Sequence, residues 1–359
     1  MAADVGKKLL QEVEEVGLDE ILESIRLKHE PDVCYLNFPP LDRLLRTVLE
    51  ARAASKGTTT QPIIEFMSLA AGDSKTHLLY HLCAQAVLPV HLGGKQAAAV
   101  VIDANGQYDV QRLGTHIQQL IRQQSGCLSE SGDSAQVDQE THSALKHVHI
   151  FRPQALDSTT ATLDALPQYL FDQRRHHSYD RGVSFVALDP ASAFYWQDRA
   201  ETEDAAFIAT TEAPSTTSST QSGYFQLSKS LKAACKALCC PAIITTWHVV
   251  ISQSSDNTVR SIRPQLPAMQ TTLRLIIHRI PVRKFPPGIT LEQALRESPS
   301  RQKAVEDCRF ECLLNEYEVE ERVLRGLKGK DSGFGFAVSS SGVTIHESGE
   351  KSDDENVLT

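Results

Sequence analysis

Lys75 and Thr76 close the stretch "MSLAAGDSKT" (Met67 to Thr76), and a lysine followed by a hydroxyl residue is the ending that a phosphate-binding loop requires. In such a loop glycines let backbone N–H groups turn inward around phosphate oxygens, the lysine reaches the outer phosphates and the hydroxyl binds magnesium. Counted back from Thr76, the eight positions are Leu69 to Thr76, with Gly72 inside them. The first expected glycine is Leu69 (or Ser68, if the loop is one residue longer), and the second is Ser74. A side chain at a position that needs positive φ costs about 1 kcal/mol or more. Asp73 adds a negative charge close to where phosphates would lie. Two readings stand at this point: a phosphate loop that has lost its glycines, or merely the polar start of a helix. A second motif bears on the choice. "VSFVALD" is an apolar strand pattern ending in Asp189, the usual form of the magnesium-orienting motif that accompanies a phosphate loop.

The segments around these residues have the pattern needed to position them. "PIIEFM", "AAAVVID", "HVHIF", "VSFVALD" and "PAIITTW" are short apolar runs of the kind that strands covered on both faces require. Helical spacing separates them; after Thr76 it runs through Leu78, Leu79, Leu82, Cys83, Ala86 and Val87 until Pro89 ends it. This alternation predicts an α/β fold with a mainly parallel sheet, the two motifs lying on adjacent strands. Beyond residue 270, "TLRLIIHRI" and "FGFAVSSSGVTI" read as antiparallel edge strands, the second folded at "SSSG" into a hairpin. Residues 1–37 have the spacing of amphipathic helices, residues 38–348 form the core, and residues 349–359 make an acidic, disordered tail. Inserts are expected near residues 126–143 and 200–223, both polar and mobile, and near 296–330, charged and helical.

Composition narrows the function classes. The 359 residues are 41% hydrophobic and 23% charged, and no apolar run approaches the roughly 20 residues of a membrane span. The amphipathic, charged N-terminus is not read as a secretory signal. A net charge of −9 argues against broad, unaided contact with nucleic-acid phosphates, so any DNA contact is expected to be local or shared with a partner. The eight cysteines include no CxxC pair and are read as reduced thiols; Cys235, Cys239 and Cys240 are read as packing residues on one helix and its end. "RRHH" (Arg174 to His177) is read as a solvated surface, its adjacent histidines pointing apart on one helix, and Arg279, Arg283 and Lys284 likewise.

The wording of several stretches is more specific than their pattern. "KTHLLYHLCAQAVLP", "VVIDANGQYDVQRL", "HVHIFRPQ", "LDPASAFYWQDR", "IITT" and "FAVSSSGVTI", in that order, resemble the RecA-type recombinase paralogs of eukaryotes, most closely the X-ray-repair cross-complementing protein two branch. The resemblance covers about residues 38–348. It implies a RecA-like P-loop core with Gly72, Ser74, Lys75, Thr76 and Asp189 at the nucleotide, Lys75 facing the β- and γ-phosphates, and Thr76 and Asp189 at magnesium. The family's water-activating glutamate falls on Asn105, an amide that cannot take a proton from water near neutral pH. Trp247 stands where the family carries the glutamine that senses the γ-phosphate. Leu69, Ser74, Asn105 and Trp247 all depart in the direction of weak ATP and magnesium binding and little hydrolysis. Arg260 and Arg263, after the "IITT" strand, are the DNA contacts implied. The expected role is a subunit that works with another recombinase paralog chain in homologous-recombination repair of double-strand breaks, in the nucleus, with single-stranded or branched DNA met through the complex and no membrane contact. A self-sufficient DNA-stimulated ATPase of the same fold, and a P-loop protein of another class such as a kinase-like scaffold, are the rival expectations.

Overall fold

The computed structural model describes residues 35–56, 61–68, 70, 72–125, 134–211, 222–247, 261–282, 285–327, 332–340 and 342–346. The expected N-terminal helices, the acidic tail and Arg260, Leu69, Arg283 and Lys284 lie outside them.

Among the described residues nine strands form one sheet: β1 (Ile63–Ser68), β2 (Ala98–Asp103), β3 (Val148–Phe151), β4 (Val183–Asp189), β5 (Ala242–Trp247), β6 (Leu273–Arg279), β7 (Arg309–Leu314), β8 (Gly333–Val338) and β9 (Val343–His346). Their order across the sheet is β3-β2-β4-β5-β1-β6-β7-β8-β9. From β3 to β6 every pairing is parallel, and from β6 to β9 every pairing is antiparallel. The helices are α1 (Pro39–Lys56), α2 (Lys75–Val87), α3 (Val110–Ser125), α4 (Ser134–Leu145), α5 (Leu156–Leu170), α6 (Tyr195–Thr211), α7 (Gly223–Leu238), α8 (Leu291–Glu306) and α9 (Glu321–Gly326).

The apolar runs are continuous because the central strands are covered on both sides. β1 and β2 are buried at every position. Period-two alternation then divides each strand between two cores. Ile64, Phe66, Ala99, Val101, Phe185, Ala187 and Ile243 join the cluster built with α1, α2, α3 and α4. Ile63, Val100, Ile102, Val186, Leu188 and Ile244 join the opposite cluster, built with α5 and α7. Each fully buried Leu or Ile contributes about 1.5–3 kcal/mol of transfer free energy, so the sheet and its two helical layers stabilise one another. The stretch "FPPLDRLL" ties α1 in: Asp42 accepts the Leu36 and Phe38 N–H groups at 2.9 and 3.0 Å, and Phe38 packs edge-on against His81 and Phe334.

Several expectations are corrected. "TLRLIIHRI" supplies β6, which is interior, parallel to β1 on one side and antiparallel to β7 on the other. The supposed helical insert near 296–330 contains β7: Phe310, Cys312 and Leu314 alternate inward with Arg309, Glu311 and Leu313, a half-buried strand inside a charged stretch. The polar segment near 126–143 is in part α4, which buries Val137, Thr141 and Ala144 along one face. The start of the 200–223 segment continues α6 to Thr211. Arg174 to His177 lie in turns, not on a helix; His176 packs against His149 and Tyr169 while His177 is exposed. The motif strands β1 and β4 are not adjacent either, because β5 lies between them.

Candidate functional site

The connection leaving β1 runs to the β2 side of the sheet, while the one leaving β5 passes β1 to reach β6. Neighbouring strands whose connections leave in opposite directions mark a switch point, and ligands of open α/β sheets bind outside the carboxyl ends of the strands there. Ser68, Asp103, Asp189 and Trp247 terminate β1, β2, β4 and β5 at this edge. In register, Ser68 stands opposite Trp247 and Asp103 opposite Asp189.

The segment 69–74 joins β1 to α2. Gly72 has φ 87° and Ser74 φ 60°, both in the left-handed region. The expected strain at Ser74 is therefore present, at about 1–2 kcal/mol for a residue with a Cβ. Ser74 occupies the N-cap position of α2 without capping it through its side chain. Lys75 is the first helical residue and is buried, its Nζ donating to the Ser68 hydroxyl. Ser68 in turn donates to the Ala70 carbonyl at 3.1 Å, and Asp73 accepts the Ala70 N–H at 3.0 Å. Burial pushes the Lys75 ammonium down from 10.5 to about 8, against the pull of Asp189 and then Asp73, so at pH 7 it remains largely charged.

Across β5, the Thr76 hydroxyl donates to Asp189 Oδ2 at 2.9 Å, and Thr245 donates to Asp189 Oδ1. Thr245 lies on β5, between the two motif strands. Burial raises the Asp189 carboxyl above the ordinary range, and the two hydroxyls and Lys75 oppose the shift. Lys75, Thr76 and Asp189 are thus brought together at one edge.

Asp103 is occupied otherwise. It accepts the Gln107 and Tyr108 N–H groups at 3.0 and 3.1 Å and pairs with Arg152 Nε at 3.0 Å, which fixes the turn after β2. Asn105 sits exposed at the tip of that turn, and its Oδ1 accepts the Gln107 N–H at 3.1 Å. Trp247 is half exposed, its backbone N–H donating to the Ser192 hydroxyl at 3.2 Å. Arg263 is exposed on a segment pinned at Ile262, whose N–H and carbonyl both bond to the buried side chain of Asn315.

A magnesium ion takes oxygen ligands and keeps several waters, using one or two carboxylates plus substrate phosphates. Thr76 and Asp189 fit that mode, as an adjacent hydroxyl and carboxylate that need phosphates to complete the shell. Among the described residues no group of three or more His, Cys, Asp or Glu is placed to hold a metal ion by itself. Cys235 and Cys240 are buried in the core while Cys239 is exposed. Among the described residues no helix is long and apolar enough to cross a membrane.

Thr245, Ser68 and Asp73 are the site residues that motif reading alone passes over or leaves without a role. Thr245 carries a signal, a hydroxyl pair in an otherwise apolar strand end, "IITTW". No protein-family model and no curated protein matches the chain.

Proposed function

We propose that this chain is a RecA-like P-loop subunit of a recombinase-paralog complex, supporting homologous-recombination repair of double-strand breaks, with weak ATP binding and little or no hydrolysis. The observation that carries the reading is the contact of Thr76 with Asp189 across an intervening strand, beside a buried Lys75 at the switch point of a parallel sheet. A loop lysine, a hydroxyl and a strand-end aspartate meeting there is the arrangement that holds Mg-nucleotide phosphates. Lys75 would face the outer phosphates, and Thr76 and Asp189 would hold magnesium.

Weak turnover follows from the acids at hand. Asp103 is committed to two amides and Arg152, Asp73 to the Ala70 amide, and Asn105 is an amide turned into its own loop. None of these is a free carboxylate able to take a proton from water. The assignment to recombinase paralogs, the nuclear setting, another paralog chain as partner and DNA met through the complex rest on the resemblance of "LDPASAFYWQDR" and its companion stretches. The net charge of −9 suits a chain that leaves most phosphate contacts to its partner.

The test is genetic and biochemical together. In cells lacking the chain, re-expression restores repair of an induced break on a recombination reporter, and Lys75→Ala retains most of that repair. The tagged chain also purifies with a second RecA-like chain. Failure of the wild type to restore repair, or purification free of any such chain, overturns the proposal. DNA-stimulated ATP turnover abolished by Lys75→Ala moves the assignment to the self-sufficient ATPase.

A further inference from the structure

We propose that Asp73 is a resident anion of the phosphate loop, holding with its own carboxylate the backbone donor and the neighbouring positive charge that a nucleoside triphosphate would otherwise take. The inference rests on the reading of this loop as a nucleotide site and explains why its affinity is low.

Four observations combine. The Asp73 carboxylate, on a residue only 6% exposed, reaches back to accept the N–H of the exposed Ala70 at 3.0 Å. The Ala70 carbonyl in turn receives the Ser68 hydroxyl, which also accepts from Lys75. Asp73 sits between Gly72 and Ser74, the two left-handed residues, which fold the chain back on itself and place the acid inside the bend. Its charge acts on Lys75 from within the loop.

A phosphate oxygen and the Asp73 carboxylate are alike in what they accept: a backbone N–H and the field of an ammonium group. They are also alike in sign, so one repels the other at short range in a poorly hydrated site. Binding of a nucleotide therefore requires Asp73 to release Ala70 and turn outward. The ligand class is a magnesium-bound nucleoside triphosphate, and Asp73 sets its affinity through the loop without touching the base.

The experiment is equilibrium binding of a fluorescent ATP analogue with magnesium to the full chain. It compares wild type, Asp73→Asn and Asp73→Ala, each with Lys75 intact and with Lys75→Ala. Asp73→Asn keeps shape and removes charge, and so guards against a folding artefact; Asp73→Ala also frees the Ala70 amide. Both are expected to bind about tenfold or more tightly than wild type, with no gain in the Lys75→Ala background, a dependence that a purely structural role would not produce. Asp73 variants that bind no tighter than wild type overturn the inference. If wild type then still binds in a Lys75-dependent way, the nucleotide reading survives alone; binding by none of the forms removes both.

Discussion

Replacing Lys75 by methionine should make the ligand-free protein more stable, and the gain should shrink as pH rises. The ammonium is buried behind Ser68, and its ordinary value of 10.5 falls to about 8 in the fold. At 1.36 kcal/mol per pH unit, the gap makes the protonated lysine about 3 kcal/mol worse off folded than unfolded at neutral pH. Because the folded value of this base is depressed, the unfolded chain binds more protons between pH 8 and 10.5, and wild-type stability rises across that window. Below pH 8 the penalty is present almost in full. Methionine fills a similar volume without charge, while the lost hydrogen bond to Ser68 returns about 1 kcal/mol. The net expectation is a variant more stable by about 2 kcal/mol at pH 7. Urea unfolding of both proteins at matched m-values reads this directly. The difference should narrow by about 1 kcal/mol from pH 7 to pH 9 and by about 2 kcal/mol or more at pH 10. A methionine variant less stable than wild type at pH 7, or a difference that stays flat with pH, refutes the reasoning. Such a lysine costs stability in the empty fold, which fits a residue kept for a ligand.

Two other sites give independent checks. Glu65 is buried in β1, where it pairs with Arg274 at 2.7 Å and accepts from Thr246 at 2.7 Å; Glu65→Ala should cost about 3–5 kcal/mol in urea unfolding by stranding the guanidinium. Adding Arg274→Ala should recover part of that loss, and a double variant no better than the single one contradicts the pairing. Asp198 accepts the Gly223 N–H and the Ser222 hydroxyl, each at 2.8 Å, and so closes the start of α7; Asp198→Ala should cost about 1–2 kcal/mol, with faster hydrogen exchange confined to the first turn of α7.

The parallel half of the sheet was legible because its strands are covered on both faces, which leaves nearly continuous apolar runs such as Ile63 to Met67, broken only by Glu65, and Ala98 to Ile102. The antiparallel half was harder. β7 alternates single buried residues with Arg309 and Glu311 inside a charged stretch, and period two over so short a run is masked by the helical pattern before it. α4 hides for a like reason, since its buried face has only Val137, Thr141 and Ala144. At the site, Lys75, Thr76 and Asp189 could be named because their types and spacing follow from phosphate chemistry. Their interlock could not. Thr245 reaches Asp189 only because β5 inserts between β1 and β4, a fact of strand order and not of spacing along the chain. Asp73 could be flagged as a misplaced charge, but its bond to Ala70 depends on left-handed backbone at Gly72 and Ser74. Asn105 stands where a glutamate was expected and keeps to its own turn, held there by the Gln107 amide.

The central claim is that the strand-end cluster of Lys75, Thr76 and Asp189 is a nucleotide site of low affinity. Equilibrium binding of a fluorescent ATP analogue with magnesium, wild type against Lys75→Ala, tests it most directly. Weak, saturable binding that disappears in the folded Lys75→Ala protein is the predicted result. Well-folded wild type that binds no analogue, or binds it equally well without Lys75, contradicts the account.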